Sequence, residues 1–122
     1  MRIYTGRLDS KRNPIVRVVD SHGDSHKLPL QSKLFNHSNG FNWGYGGSGP
    51  AQLALAILVD ALTIRTSTGR PRLRSIFNDV AVQLHQDFKW KFITPLPRNE
   101  PWRITQQQVL NFVSTHKQEQ TT

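Results

Sequence analysis

Residues 41–60, FNWGYGGSGPAQLALAILVD, decide the fold. Four glycines in six positions, Gly44 to Gly49, run through a Ser-Gly-Pro junction into a segment whose only polar residues are Gln52 and Asp60. A helix apolar on nearly every side belongs in the centre of a domain, because no face of it suits water. Gly49 suits the N-cap and Pro50 the first helical position, where a missing N–H costs nothing, so the sequence predicts a buried helix over 50–62. The alanines at 54, 56 and 61 let neighbours pack close, which fits sheet on one side and helices on the other.

On the N-terminal side, Arg2 to Leu8 and Ile15 to Val19 are separated by DSKRNP, whose Asp, Ser, Asn and Pro favour turns. They pair most simply as an antiparallel hairpin. DSHGDS (20–25) is a second turn, and Lys27 to Leu30 can add a short third strand that Pro29 confines to an edge.

On the C-terminal side, Arg65, Arg70, Arg72 and Arg74 crowd into RTSTGRPRLR, with no acid between Asp60 and Asp79. The Gly-Arg-Pro turn inside this stretch reads as a flexible basic loop. Ser75 can cap a second helix in which Leu73, Ile76, Phe77, Val80, Ala81, Leu84 and Phe88 recur at three- and four-residue steps. DFKWKFIT then reads with period two. Phe88, Trp90 and Phe92 would point one way and Lys89 and Lys91 the other, which predicts a half-buried strand over 88–94 with a basic outer face. Pro95, Pro97 and Pro101 interrupt the chain before Trp102. Thr105 with Gln108 forms a T-x-x-Q capping box, with Ile104 and Val109 spaced as a hydrophobic staple, so a last helix follows and ends near His116. The order ββ(β)ααβα predicts a small α+β fold: an antiparallel sheet, made of the N-terminal hairpin or meander plus the 88–94 strand, on a buried central helix and two others. The whole chain, 1–122, reads as one domain with a frayed tail over 117–122.

Composition narrows the class. The chain has 36% hydrophobic and 20% charged residues, in the globular range. It has no cysteine, which removes disulfides, thiolate metal sites and cysteine nucleophiles. MRIYTGRLDSKRN lacks the apolar core of a secretory signal, and Leu53 to Val59 is too short to span a bilayer, so a cytoplasmic protein with no membrane partner is expected. Sixteen Lys and Arg against eight acids give a formal charge of +8, which favours polyanionic partners.

The glycine loop imitates two nucleotide motifs. Gly44-Tyr-Gly46-Gly-Ser-Gly49 satisfies G-x-G-x-x-G, yet HSNGFNW precedes it in place of a hydrophobic strand, and a basic stretch follows where the dinucleotide fold needs a strand ending in an acid. Gly44 to Gly49 also has the G-x-x-x-x-G spacing, but Pro50 and Ala51 stand where a P-loop needs Lys and Ser or Thr. What survives is an anion seat of backbone N–H groups at a helix N-terminus, with Tyr45, Ser48 and Gln52 placed to add side-chain contacts. The other reading is purely structural: the glycines let the loop cross tightly over the sheet.

Catalytic candidates are few. His22, Asp24 and His26 lie together in a turn without a further obvious metal ligand. His37 and His85 can act as bases, but spacing assigns them no partner. No cofactor is expected.

The string WGYGGSGPAQLALAILVD, with QDFKWKFI downstream and the closing PWRIT, resembles a small family of uncharacterised prokaryotic, phage and plasmid proteins whose hallmark is WGYGGSGPAQLALA. The resemblance covers most of the chain and implies a cytosolic protein associated with mobile elements, without an assigned activity. The segment Arg65 to Arg74 is longer and more basic than the family's corresponding linker.

Two classes of function follow. One is a non-enzymatic binding module that takes nucleic acid or a phosphate-bearing nucleotide on Gly44, Tyr45, Gly46, Gly47, Ser48, Gly49 and Gln52, with Arg65, Arg70, Arg72, Arg74, Lys89 and Lys91 supplying positive potential. The other is a mobile-element inhibitor or accessory subunit that docks on a host nucleic-acid-handling or defence complex, its arginines meeting an acidic protein surface. An enzyme comes third, on a pocket formed by Tyr45, Ser48 and His37.

Overall fold

The computed structural model describes residues 1–65, 71–72 and 75–120, with side chains over 1–63 and 79–116. Strands β1 (Ile3–Leu8), β2 (Pro14–Val19) and β3 (Ser25–Lys27) form an antiparallel meander, and helix α1 (Ser48–Leu62) follows a long irregular segment. A short hairpin, β4 (Ile64–Arg65) with β5 (Pro71–Arg72), leads to α2 (Ser75–Phe88), and the chain closes with β6 (Trp102–Thr105) and α3 (Gln106–Gln120). The main sheet has the order β3-β2-β1-β6, so a C-terminal strand lies against the N-terminal one. This is an α+β fold, as the sequence predicts.

The sheet buries one face. Tyr4, Val16, Val18, Trp102 and Ile104 join α1 in the core, and α2 and α3 supply Ala81, Leu84, Phe88, Val109 and Phe112. Every residue of α1 from Gly49 to Ala61 is buried. Trp43 and Trp102 meet edge to face at 5.6 Å, and their indole N–H groups find no hydrogen-bond partner among the described residues.

A buried helix must still satisfy the polar groups it carries inward. Asp60 does so at one end. Its carboxylate accepts from Arg2 Nη1 at 2.8 Å and from the Tyr4 hydroxyl at 2.9 Å. Arg2 also donates to the Asp60 and Thr63 carbonyls at 2.7 and 2.8 Å, and Gln106 Nε2 donates to the Ala61 carbonyl at 3.0 Å, so the helix's last carbonyls are capped from the sheet and from α3. Gln52 does the same in the first half. Its Nε2 donates to the Leu30 and Phe35 carbonyls, and its Oε1 accepts from the His37 and Ser38 amides. That set uses both donors and both acceptor sites of the amide, and it pins the 30–38 segment to the helix.

Several boundaries differ from the sequence expectation. Helix α1 starts at Ser48 rather than Pro50, with Gly47 at the N-cap; Pro50 is tolerated in the first turn because the N–H groups there have no intrahelical partner anyway. The third strand is Ser25–Lys27 rather than 27–30, ending before Pro29 removes a ladder donor. The 88–94 strand does not form. Helix α2 runs directly into a π-helical segment, Lys89–Ile93, closed by the Thr94 N–H to the Lys89 carbonyl at 2.9 Å. The fourth strand is β6 instead, pairing Tyr4 with Ile104 and Gly6 with Trp102.

The physical reason is that Phe88 and Phe92 satisfy both periods. Two residues four apart share a strand face, but they also share a helix face. Here they stack at 4.8 Å and both meet Phe112 edge to face, so the helical solution buries them against α3. The capping box at the start of α3 forms as expected: the Thr105 N–H donates to Gln108 Oε1 at 2.8 Å, and the Gln108 N–H to Thr105 Oγ1 at 3.1 Å. The helix continues past His116 to Gln120. Among the described residues no helix is long and apolar enough to cross a membrane.

Asp60→Ala leaves a largely buried guanidinium without its counter-charge and is expected to cost about 3–5 kcal/mol. Urea denaturation checks this through a lowered midpoint at unchanged slope.

Candidate functional site

Helix and strand geometry make opposite statements about residue 90. In a strand Trp90 shares the buried face of Phe88 and Phe92; on a helix it lies across from them. The π-helical continuation therefore exposes Trp90, at 57% of its surface, and turns Lys89 inward, to 7%. This reverses the expected basic outer face at one of its two lysines. Lys89 Nζ sits 4.5 Å from the Trp90 ring centroid, a cation–π contact, while Lys91 stays exposed beside Phe92 and Phe112.

The glycine loop packs against this segment. At Gly46 a Cβ would run into the Trp90 ring, so the six-membered end of the indole rests against bare backbone. Gly44 has φ +82°, and its missing side chain leaves room for Arg98 and the Leu96 carbonyl, while its N–H donates to the Ile93 carbonyl at 3.1 Å. Gly47 faces the ring of Tyr45, and Gly49 faces Asn42. Much of the glycine density is thus explained by close approach within the protein. The loop makes a shelf for Trp90.

Around the shelf the surface is aromatic and cationic. Tyr45 is exposed at 38%, and the Arg98 guanidinium lies 5.1 Å from its ring centroid. Arg98 and Arg12 line one cleft of about 130 Å³ with Asn42 and Asn99. Arg98 escapes a reading of the sequence because nothing in LPRNEP signals that it folds over Tyr45.

Helix α1 opens onto this shelf. Gly47 supplies no side-chain cap, and the first turn of the helix holds no acid, so the positive end of its dipole is uncompensated by side chains. Pro50 has no N–H, and the Ala51 N–H is bound to the Gly47 carbonyl at 3.1 Å, which leaves the amides of Ser48 and Gly49 as the seat. Ser48 is exposed, whereas Gly49 is buried. Gln52 does not reach the seat, because it is fully buried and its hydrogen bonds are all internal.

Of the arginines expected at the site, Arg70 and Arg74 lie outside the described residues. Arg65 and Arg72 belong to the β4–β5 hairpin, in which Ile64 pairs with Arg72 and Arg65 with Pro71.

His37 and His85 pair with each other. Their Nε2 atoms are 2.8 Å apart, and His85 Nδ1 lies 2.5 Å from the Val82 carbonyl. With both rings neutral, His85 donates from Nδ1 to that carbonyl, and its bare Nε2 accepts from His37 Nε2–H. His85 is buried rather than on the polar edge of α2, and Phe35 stacks on His37 at 4.2 Å. Burial, then the neighbouring His85 and Lys89, hold the His37 pKa below the usual histidine value. His22, Asp24 and His26 lie around a hairpin turn whose amides bond to Asp20 Oδ1. Among the described residues no three His, Asp or Glu side chains come together as a metal site.

A model of a family of unknown function (DUF6166) matches residues 4–70, more than half of the chain, and the chain belongs to that family. The matched span carries β1 to β3, the glycine loop and all of α1; α2, β6 and α3 lie beyond it. No curated protein and no solved structure matches the chain.

A depressed histidine pKa means the unfolded chain binds more protons than the folded one just below the ordinary value near 6.5. Stability is therefore expected to fall as pH drops through about 6.5, and His37→Gln should flatten that dependence. Denaturation midpoints measured from pH 8 to pH 5 provide the check.

Proposed function

We propose that this member of the family is a small, basic, non-enzymatic module that binds single-stranded nucleic acid, with bases stacking on Trp90 and Tyr45 and a phosphate received at the N-terminus of α1. The observation that carries the reading is Trp90: a large indole, more than half exposed, packed against the glycine backbone at Gly46, in a loop that also presents Tyr45 with Arg98 over its ring. Every base offers a π-face, so such platforms bind strands with little sequence preference. The formal charge of +8 and Lys91 at the edge supply attraction to the phosphates. Arg65, Arg70, Arg72 and Arg74 extend the same positive potential along the chain, and a free nucleotide would use the same seat and platform.

The composition of the patch also favours a second reading. Trp, Tyr and Arg are the residue types that dominate protein–protein hot spots. On this reading the protein is a mobile-element inhibitor or accessory subunit, cytoplasmic, that docks on a host nucleic-acid-handling complex; the resemblance carried by WGYGGSGPAQLALA supports that setting. Pull-down from a nuclease-treated lysate separates the two. A partner retained without nucleic acid favours docking.

Fluorescence anisotropy with a labelled single-stranded oligonucleotide tests the first reading. Binding is expected at low salt and should weaken steeply as salt rises. Trp90→Ala should cost about 1–3 kcal/mol, roughly 5- to 150-fold in Kd, with Trp90→Phe retaining most of the affinity. No binding by the wild-type protein at low ionic strength would defeat it.

A further inference from the structure

Among the described residues, no helix covers the second face of the sheet. Side chains alternate along each strand, so the residues opposite to Tyr4, Val16, Val18, Trp102 and Ile104 point away from the core. None of these outward residues is buried. The register sets them in rows. Arg103 of β6 lies opposite Thr5 of β1, Thr5 opposite Arg17 of β2, and Arg17 opposite Lys27 of β3, and directly opposed residues share a face. At about 4.8 Å between strands, the row from Arg103 to Lys27 crosses some 14 Å of sheet.

Arg7 lies two residues beyond Thr5 on the same face. A recess of about 180 Å³ is lined by Arg7 and Arg17 with Thr5, Ile15 and Trp102. Arg17 is fixed over the sheet by hydrogen bonds to Ser25, from Nε to Oγ and from Nη2 to the carbonyl, both at 3.2 Å. No outward position of the four strands carries an acid. The acids at the hairpin ends are engaged by their own turns: Asp9 Oδ1 accepts from the Lys11 and Asn13 amides, and Asp20 Oδ1 from those of His22 and Asp24. Backbone hydrogen bonding, chiefly from Asn13, holds the Asp9 carboxyl below the usual carboxylate range.

From this juxtaposition we infer that the open sheet face, through Arg7, Arg17, Lys27 and Arg103, is a phosphate-contacting surface for the backbone of a nucleic acid strand. Asp9, just past the end of β1, offsets Arg7 in part; the cations otherwise repel one another in the free protein, and a polyanion relieves that repulsion while releasing its own counterions. No outward strand position carries an aromatic residue, and Trp102, which lines the recess, is only 6% exposed, so the face grips phosphates and does not read bases. Arg12 and Arg98 add two further cations in a cleft at the β1–β2 turn, lined also by Leu8 and Pro14. The inference rests on the nucleic-acid reading above and adds to it a second surface, remote from the glycine loop in sequence.

The experiment is a salt titration of oligonucleotide affinity for wild type, for Arg17→Ala/Lys27→Ala/Arg103→Ala, for Arg17→Lys/Arg103→Lys with Lys27 retained, and for Trp90→Ala. Every phosphate that is no longer neutralised should lower the slope of log K against log salt by about 0.7, so the triple alanine variant should fall by about 2 and the lysine variant by almost nothing. Arginine modification of the wild-type protein by phenylglyoxal, with and without the oligonucleotide, gives a readout independent of any variant: Arg17 and Arg103 should be protected. An unchanged slope with unprotected arginines, while Trp90→Ala still weakens binding, overturns the sheet-face surface and leaves the shelf standing. Failure of the wild-type protein to bind at low salt removes both.

Discussion

The structure depends on burying α1 on all sides. A helix that meets solvent almost nowhere cannot satisfy its polar groups with water, so each one it carries must be answered from another part of the chain. Asp60 is answered by Arg2 and by Tyr4 of the first strand, the last carbonyls by Arg2 and Gln106, and Gln52 by the backbone of 30–38. These bonds join residues as far apart in sequence as Arg2 and Gln106. They explain why β6 sits beside β1: the capped start of α3 brings Gln106 to the Arg2 backbone, where Gln106 N–H donates to the Arg2 carbonyl at 2.8 Å.

Much of this is legible in the sequence because it follows from local chemistry. The meander, the buried helix and the Thr105–Gln108 box are each written in adjacent residues. What is not legible is where one pattern serves two periods. Phe88 and Phe92 fit a strand and a helix equally well, and only Phe112, contributed from α3, decides between them. That single ambiguity carries Trp90 and Lys89 with it. The indole is outside and one lysine is inside because the segment turns by helical steps. Gln52 is a similar case: a polar residue after a glycine loop suggests a ligand contact, and no local signal shows that Leu30 and Phe35 consume it.

The same constraint gives the glycine loop its meaning. With α1 enclosed, its N-terminus is the end that reaches the surface, and the loop entering it must thread between Arg98, Trp90 and Asn42. Close packing accounts for the glycines without any ligand. That packing sets one end of the Trp90 indole against bare backbone at Gly46 and, with Lys89 Nζ 4.5 Å from the ring centroid, leaves 57% of the residue's surface to solvent. The basic rows on the far side of the sheet arise independently, from the outward positions of four strands, and are invisible in sequence because Arg7, Arg17, Lys27 and Arg103 become neighbours only through the register.

The central claim is that Trp90 is a base-stacking surface. Of the three tryptophans, Trp43 and Trp102 are buried in the core and Trp90 alone is exposed, so the long-wavelength part of the protein's emission reports on it. Titrating intrinsic fluorescence with an unlabelled single-stranded oligonucleotide at low salt tests the claim directly. The account predicts saturable quenching of that long-wavelength component, absent in Trp90→Phe. Emission that stays unchanged under conditions where the oligonucleotide is bound would contradict it.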